Sequence, residues 1–306
     1  MLYRSAVAAW EQVASNKAAI ALANVDCRDL LSVIPDESVS LVVTSPPYCM
    51  GKEYEPGNTI EDFVAAHETV LPDIARILKP GGSICWQVGY HVARNTVVPL
   101  DYLVYDVIRN LELPLTMRNR IIWHFGHGKH AGRRFSGRHE TLLWFTKGED
   151  YEFNLDAVRV PQKYPGKRST KGHNKGEFSG NPLGKNPSDI WDIPNVKANH
   201  CEKLEHPCQF PVALVRRLVL SLTREGDIVL DPFSGVASSG VAAVLEGRRF
   251  IGAELNDGYA AIGNERLQQT LDGVVRVRAD TEVIKPDQRM AVARRPDTWP
   301  EMSPRI

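Results

Sequence analysis

Short apolar runs rich in β-branched residues alternate along most of this chain with longer segments of helical periodicity. Residues 38–44 (SVSLVVT) read as a buried strand ended by Pro46, and 60–78 as a helix closed at the KPGG of 79–82. SICWQVG (83–89) reads as a second strand, 99–112 as a helix, and RNRIIWHF (118–125) and ETLLWFTK (140–147) as two more strands. After 205 the rhythm returns: helix PVALVRRLVLSLT, strand DIVLD, a glycine-containing turn, helix SSGVAAVLEG, strand RRFIGAEL and a polar helix to about 272. Strands and helices in turn predict an α/β fold with a largely parallel sheet. At 306 residues and 43% apolar the chain can bury a core of that kind.

Between about 155 and 205 Gly, Pro, Asn, Lys and Ser replace the apolar pattern, as in YPGKRSTKGHNKGEFSGNPLGKNPS (164–188). A stretch so long without periodicity inside a domain is either functional or disordered. From 274 the chain is rich in Arg, Asp and Pro, and reads as a mobile or docked polar tail. The expected division is therefore 1–150 and 206–273 as two halves of one α/β domain, an irregular insertion over 151–205, and a tail over 274–306.

Formal net charge is zero, which excludes a global attraction to a polyanion. Locally the balance differs: 118–185 holds 14 of the 37 Lys and Arg but only 6 of the 37 Asp and Glu. One basic surface on a neutral protein is what a nucleic acid would feel. The five cysteines form no CxxC pair, which points to a reducing compartment and no structural zinc. No signal peptide and no run of membrane-spanning length is seen, so a cytoplasmic protein without membrane attachment is expected.

Two segments carry chemistry. In DIVLDPFSGVASSG an apolar strand ends in Asp231, a small-residue turn follows and a helix begins; the next strand ends in Glu254. Ligands of open α/β sheets bind beyond the carboxyl ends of strands, and an acid closing the second strand suits the hydroxyls of a ribose. A dinucleotide site would carry G-x-G-x-x-G and hold a pyrophosphate. Here Asp231 and Pro232 stand in place of the first glycine, and a carboxylate repels pyrophosphate while attracting a cation. S-adenosylmethionine, with its sulfonium and ammonium, meets that requirement. On residues alone, an ordinary strand–turn–helix corner with two solvated acids is the alternative.

The second segment is VVTSPPY (42–48). Paired prolines end strands because they donate no backbone hydrogen bond, and nothing more is needed to explain them. Yet each proline also confines the residue before it to extended geometry. Ser45 and the carbonyl of Pro46 would then form a fixed pair of acceptors beside the flat face of Tyr48. An amino group stacked there would donate both N–H hydrogens to these acceptors, be drawn toward tetrahedral geometry with its lone pair freed, and become nucleophilic without a covalent intermediate.

With TSPPY (44–48), HPCQFP (206–211) and DPFSGVASSG (231–240) in that order, the chain resembles the amino-methylating DNA methyltransferases of bacteria and phages. The segment SGRHETLLWFTKGEDYEFNLDAVRVP (136–161) is similar to that family's middle region, and the likeness extends over about 24–270. The resemblance implies a Rossmann-like sheet with helices on both faces, its catalytic half in 1–150, its cofactor half in 206–273, and target recognition in 151–205. It implies that Ser45, Pro46, Pro47 and Tyr48 hold the target base. Asp26, Cys27, Asp231, Pro232, Phe233, Ser234, Gly235, Ala237 and Glu254 would line the S-adenosylmethionine site. Ala237 stands where the family has its second glycine, and the lysine common near Phe210 is absent.

The reaction implied is methyl transfer from S-adenosylmethionine to the exocyclic amine of a base flipped out of double-stranded DNA. Ser45 in the first catalytic position favours cytosine N4 over adenine N6, while an inactive DNA-binding relative is a further alternative. Arg133, Arg134, Arg138, His139, Lys167, Arg168 and Lys171 are the expected DNA contacts, a solvated loop being the simpler account of them. A homodimer and a separately encoded restriction endonuclease are compatible partners. Pro207-Cys208-Gln209 is similar to the nucleophile loop of cytosine carbon-5 methylating enzymes, but no second signature of theirs is present, so Cys208 is expected to be a half-buried small residue. His124, His127, His130 and His139 lack chelating spacing, and no metal is expected.

Overall fold

The structure, a computed structural model, describes residues 1–48, 59–93, 96–126, 128, 130–197, 200–278 and 299. In chain order the elements are β1 (Leu2–Tyr3), α1 (Ala6–Ala14), β2 (Ile20–Ala23), α2 (Cys27–Val33), β3 (Val39–Thr44), α3 (Ile60–Ile77) and β4 (Leu78–Val88). A hairpin of β5 (Tyr90–Ala93) and β6 (Thr96–Pro99) leads to α4 (Leu100–Asn110), β7 (Thr116–His124) and β8 (His139–Thr146). Then come β9 (Ile190–Asp192), α5 (Val212–Leu222), β10 (Ile228–Asp231), α6 (Ser238–Leu245), β11 (Arg249–Ala253) and α7 (Asp257–Leu271).

The main sheet runs β1-β2-β11-β10-β3-β4-β8-β7-β9. Its neighbours from β1 to β4 are parallel, β8 is antiparallel to both β4 and β7, and β9 is parallel to β7. Strand β3 is buried along its whole length, which explains its unbroken apolar sequence. A register shift after Val39 sends Val39 and Val42 to one face while Leu41 and Val43 meet the other. The first face is covered by α1, α2, α3 and α4, through side chains such as Val13, Leu31, Phe63, Leu71, Ile74 and Val104. The second is covered by α5, α6 and α7 through Leu214, Leu218, Val241 and Leu267.

Helix α3 starts where the sequence provides a reciprocal cap: Asp62 N–H donates to Thr59 Oγ1 at 3.0 Å and Thr59 N–H to Asp62 Oδ2 at 3.2 Å. The helix ends at Ile77, just before KPGG, and KPGG itself belongs to β4, which starts ahead of the strand expected from Ser83. Gly81 there takes φ +77°, and a Cβ on it would lie 2.5 Å from the Asp150 carbonyl oxygen, so the strand bends at a residue that only glycine fills.

The insertion is less irregular than expected. Within 151–205 a single 3-10 turn (Asp156–Val158) precedes β9, which joins the sheet as its edge. Trp191 of β9 is buried, donates from Nε1 to the Ser188 carbonyl at 2.8 Å, and lies under the Arg217 guanidinium at 4.8 Å. Where the chain leaves α7, the start of the tail follows the docked alternative. Val275 and Val277 pack on the second core cluster, and the Arg278 N–H donates to Glu202 at 2.9 Å. Residues 279–298 and 300–306 lie outside the described residues. Among the described residues no helix is long and apolar enough to cross a membrane.

From β10 the chain crosses through α6 to β11 on one side; from β3 it crosses through α3 to β4 on the other. Neighbouring strands whose connections depart in opposite directions open a crevice at their carboxyl ends. Both motif segments begin at that crevice, one after β3 and one after β10.

Candidate active site

Thr44, the last residue of β3, is fully buried and donates its hydroxyl to Asp231 Oδ1 at 2.5 Å. Asp231, the last of β10, also accepts the Ser239 hydroxyl and the Phe233 N–H, the latter at 3.1 Å. Burial pushes its carboxyl up to about 6, against the downward pull of these three hydrogen bonds. The carboxylate is thus turned into the protein and ties the two motif loops together. That corrects the expectation that it faces a ligand: three protein donors already occupy it.

A cleft of about 860 Å³ opens above this tie. Ser45, Pro46, Pro47 and Tyr48 all line it, and so do Asp26, Cys27, Pro232, Phe233, Gly235 and Glu254. Asp231, Ser234 and Ala237 do not; they are buried behind the wall. Ser234 N–H donates to the Ala253 carbonyl at 2.9 Å, and Ala237 holds the left-handed φ of +58° in front of α6. This turn is therefore a backbone support, and the family's glycine is replaced by an alanine that accepts the strained conformation.

On one side of the double-proline segment the cleft is walled by the start of α2, by α3 and by the ends of β10 and β11. Glu254 accepts the Gly235 and Asn256 N–H groups, each at 2.8 Å, and burial raises its carboxyl above the ordinary range. Gly235 has φ +52°, and a Cβ there would sit 2.9 Å from His206 Nε2. Asp26 caps α2, and its bonds from Arg28 hold its carboxyl low. Burial pushes the Cys27 thiol up to about 12, so it stays neutral.

His67 donates from Nδ1 to the Phe63 carbonyl at 2.7 Å and accepts Trp86 Nε1–H at 3.0 Å. Burial lowers it to about 4, so it is neutral and fixed. Trp86 in turn stands edge-on to Phe233 at 6.2 Å. Two carboxylates, a backbone without a side chain at Gly235 and a braced aromatic ring suit a ligand carrying ribose hydroxyls and positive charge, as S-adenosylmethionine does. Arg28, the only Arg or Lys among the described lining residues, is paired with Asp26, and this does not suit a pyrophosphate.

On the other side the walls come from β4, β7, β8, the stretch after β9 and the loop leading to α5. Gln87 Nε2 donates to the Tyr48 hydroxyl oxygen at 3.2 Å and to Glu140 Oε2 at 2.5 Å. The Ser45 side chain hydrogen-bonds to the same phenol, and desolvation holds that phenol well above its ordinary value. Trp123 and Phe125 add aromatic surface, their rings 5.4 Å apart. None of Gln87, Glu140, His67 or Asn195 stands out in the sequence. A glutamine inside the otherwise apolar run SICWQVG is the one available signal. Cys208 lines the cleft but is exposed, not half-buried as expected, because HPCQFP crosses the cleft rim.

The expected DNA contacts lie outside the cleft. Arg133, Arg134, His139, Lys167, Arg168 and Lys171 are exposed, and Arg138 is half-buried with Nη1 on the Gly137 carbonyl. Arg168 stacks over Phe178 at 4.1 Å, and Phe178 meets the tail residue Trp299 edge-on at 5.7 Å. His124 pairs with Asp192 at 2.5 Å, and His127 lies outside the described residues. No group of side chains suited to a metal ion occurs among the described residues.

Comparison with known proteins agrees with this geometry. The N6/N4 methyltransferase family, described as DNA methylase, matches residues 39–265. The Type II methyltransferase M.BglII of Bacillus subtilis is 45% identical over 245 residues, spanning 80% of this chain and 68% of that protein. The Thermus thermophilus protein TTHA0409, solved in complex with S-adenosyl-L-methionine, superposes with a TM-score of 0.59 at 30% identity, covering 84% of this chain and 99% of that one. The cytosine-N4-specific PvuII DNA methyltransferase superposes with a TM-score of 0.65 at 21% identity over 83% and 92% of the two chains, a likeness of fold. The chain belongs to the N6/N4 DNA methylase family and is an S-adenosylmethionine-dependent DNA amino-methyltransferase.

Proposed function

We propose that this enzyme methylates the exocyclic amine of one base, extruded from double-stranded DNA at a specific sequence, with cytosine N4 as the target ahead of adenine N6. The carrying observation is the Ser45–Tyr48 segment, which lines the cleft between the two walls and is tied beneath to Asp231 through the preceding Thr44. Asp26, Phe233, Gly235 and Glu254 would hold the cofactor, which supplies an electrophilic methyl group. Tyr48 would carry the base on its ring face. Ser45 Oγ and the Pro46 carbonyl would accept the amine hydrogens, drawing the nitrogen lone pair out of conjugation and toward the methyl carbon. A base stacked in the duplex could not lay its ring on Tyr48 with its amine toward the cofactor, so extrusion is part of the proposal.

Arg133, Arg134, Arg138, His139, Lys167, Arg168 and Lys171 are proposed to contact the duplex, chiefly its phosphates. Likeness to the Type II methyltransferase M.BglII supports a place in a restriction–modification system; an endonuclease on a separate chain, a cytoplasmic location and a homodimer are compatible with it. Mass spectrometry of nucleosides from DNA incubated with enzyme and cofactor tests the reading. N4-methylcytosine is expected, and N6-methyladenine would replace it if the base assignment is wrong. Ser45→Ala is expected to bind cofactor normally and lose roughly a hundredfold or more in turnover. Wild-type turnover in that variant would remove Ser45 from the mechanism.

A further inference from the structure

Methyl transfer moves a positive charge. It begins on the sulfonium and, once the S–C bond has broken with its pair left on sulfur and the N–C bond has formed, it rests on the amine nitrogen. A site built to catalyse this step gains from negative charge on the base side, where the cation arises. Asp231 does not supply it, since its carboxylate is turned inward, and Asp26 and Glu254 lie on the cofactor side.

Glu140, at the start of β8, lines the base side of the cleft. Its Oε2 is held by Gln87 Nε2, the same nitrogen that reaches the Tyr48 hydroxyl. Gly89, the residue after β4, leaves the space between them open. A Cβ there would lie 3.3 Å from Glu140 Oε1 and 3.4 Å from Tyr48 Cε2. The carboxylate therefore sits at the edge of the ring on which the base is proposed to lie.

We propose that Glu140 is a catalytic residue: ionised, it stabilises the cation formed on the methylated amine and receives the proton that the nitrogen then releases. The amine lone pair forms the N–C bond, the N–H pair returns to nitrogen, and the proton passes to a Glu140 oxygen and from there to water at the cleft mouth. This rests on the base-binding reading above. Several ionisable groups lie on the elements around it. The Tyr48 phenol is neutral, while Cys208 and His206 come from the loop before α5. His139 and Arg138 adjoin it in sequence, and His124, paired with Asp192, ends β7.

Single-turnover methyl transfer across about pH 5 to 8.5, with cofactor and DNA affinities measured separately, tests the assignment. Glu140→Gln is expected to slow transfer about a hundredfold while both affinities hold, and to lose the fall in rate that wild type shows as a carboxylate protonates. Glu140→Asp should recover part of the rate, and serves if the first variant does not fold. Gln87→Met leaves the carboxylate in place without its donor, so its acid limb should persist and move to higher pH. Wild-type rates in Glu140→Gln, or an acid limb of the same midpoint and depth kept in that variant, would overturn the proposal; so would loss of cofactor or DNA affinity in proportion to rate. Asp231 alone accounts for a weaker limb at about pH 6. If wild type itself transfers no methyl group to DNA, it is the functional reading that fails.

Discussion

Asp231 and His67 are buried ionisable groups shifted in opposite senses. Asp231 rises to about 6 from 3.8, so the folded state holds its proton more tightly; its contribution is greatest in acid and is lost as pH climbs through 6. His67 falls to about 4 from 6.5, so the unfolded state takes the proton first; its contribution is full above 6.5 and is lost as pH drops toward 4. Between about 4 and 6 the two slopes oppose each other. His67→Gln removes one of them and keeps an acceptor for the Trp86 N–H. Relative to wild type, its stability should improve by about 3 kcal/mol from pH 6.5 to pH 4, because a tenfold change in proton affinity corresponds to about 1.4 kcal/mol. Urea unfolding of both proteins at the two pH values gives that difference, and a constant gap would mean that His67 titrates normally. Neither residue announces this in the sequence. Thr44 and Asp231 are 187 positions apart, so their bond belongs to strand pairing and not to local pattern. Glu140 and Gln87 are hidden likewise, as polar residues inside strands whose facing is set by partners far along the chain.

At the scale of elements, what is legible follows burial. Strands β3, β4, β8, β10 and β11 are nearly all buried, and their apolar runs reveal them; α3, α4 and α5 carry a one-sided apolar stripe. Elements β1, α1, β2 and α2 hold two to nine residues each, too few to establish a period, and the sequence reading assigns none of them. Strand β9 has only three residues, and it exists because β7 offers an open edge: Ile122, Trp123 and His124 pair with Ile190, Trp191 and Asp192. Its anchor is Trp191, packed under Arg217, with Trp123 Nε1 donating to the Ile193 carbonyl just beyond at 2.7 Å. Asn195 and Val196, which follow, line the cleft together with Gln87 and Glu140. Trp191→Ala should therefore cost about 3–5 kcal/mol of stability and free the insertion from the sheet. DNA affinity should fall while cofactor affinity stays, because the walls around Glu254 share no element with β9. Limited proteolysis between 160 and 190, faster in the variant, would report the release; unchanged cleavage would show that β9 is held by something other than Trp191.

Across the whole molecule the 37 basic and 37 acidic side chains cancel, yet the basic excess lies on segments that flank the cleft instead of within it. Such a division of charge suits an enzyme whose ligands have opposite needs. On the proposed reading, a cationic cofactor would be drawn to the carboxylates of Asp26 and Glu254, and a polyanion to exposed Lys and Arg outside. The two interactions should then respond separately to salt. Each phosphate neutralised on duplex DNA contributes about −0.9 to the slope of log K against log salt. Lys167, Arg168 and Lys171 are exposed on the insertion, so replacing all three by Gln should weaken DNA binding and make that slope shallower by about 2 to 3. The methyl-transfer rate at saturating DNA should not move, since none of the three lines the cleft. Arg168 tests the argument most sharply: its stacking on Phe178 and its bond to the Gly176 carbonyl could make it a scaffold and not a contact. Arg168→Gln alone separates the two roles. A shallower slope with unchanged stability marks a phosphate contact, whereas lost stability with an unchanged slope marks a brace for the insertion.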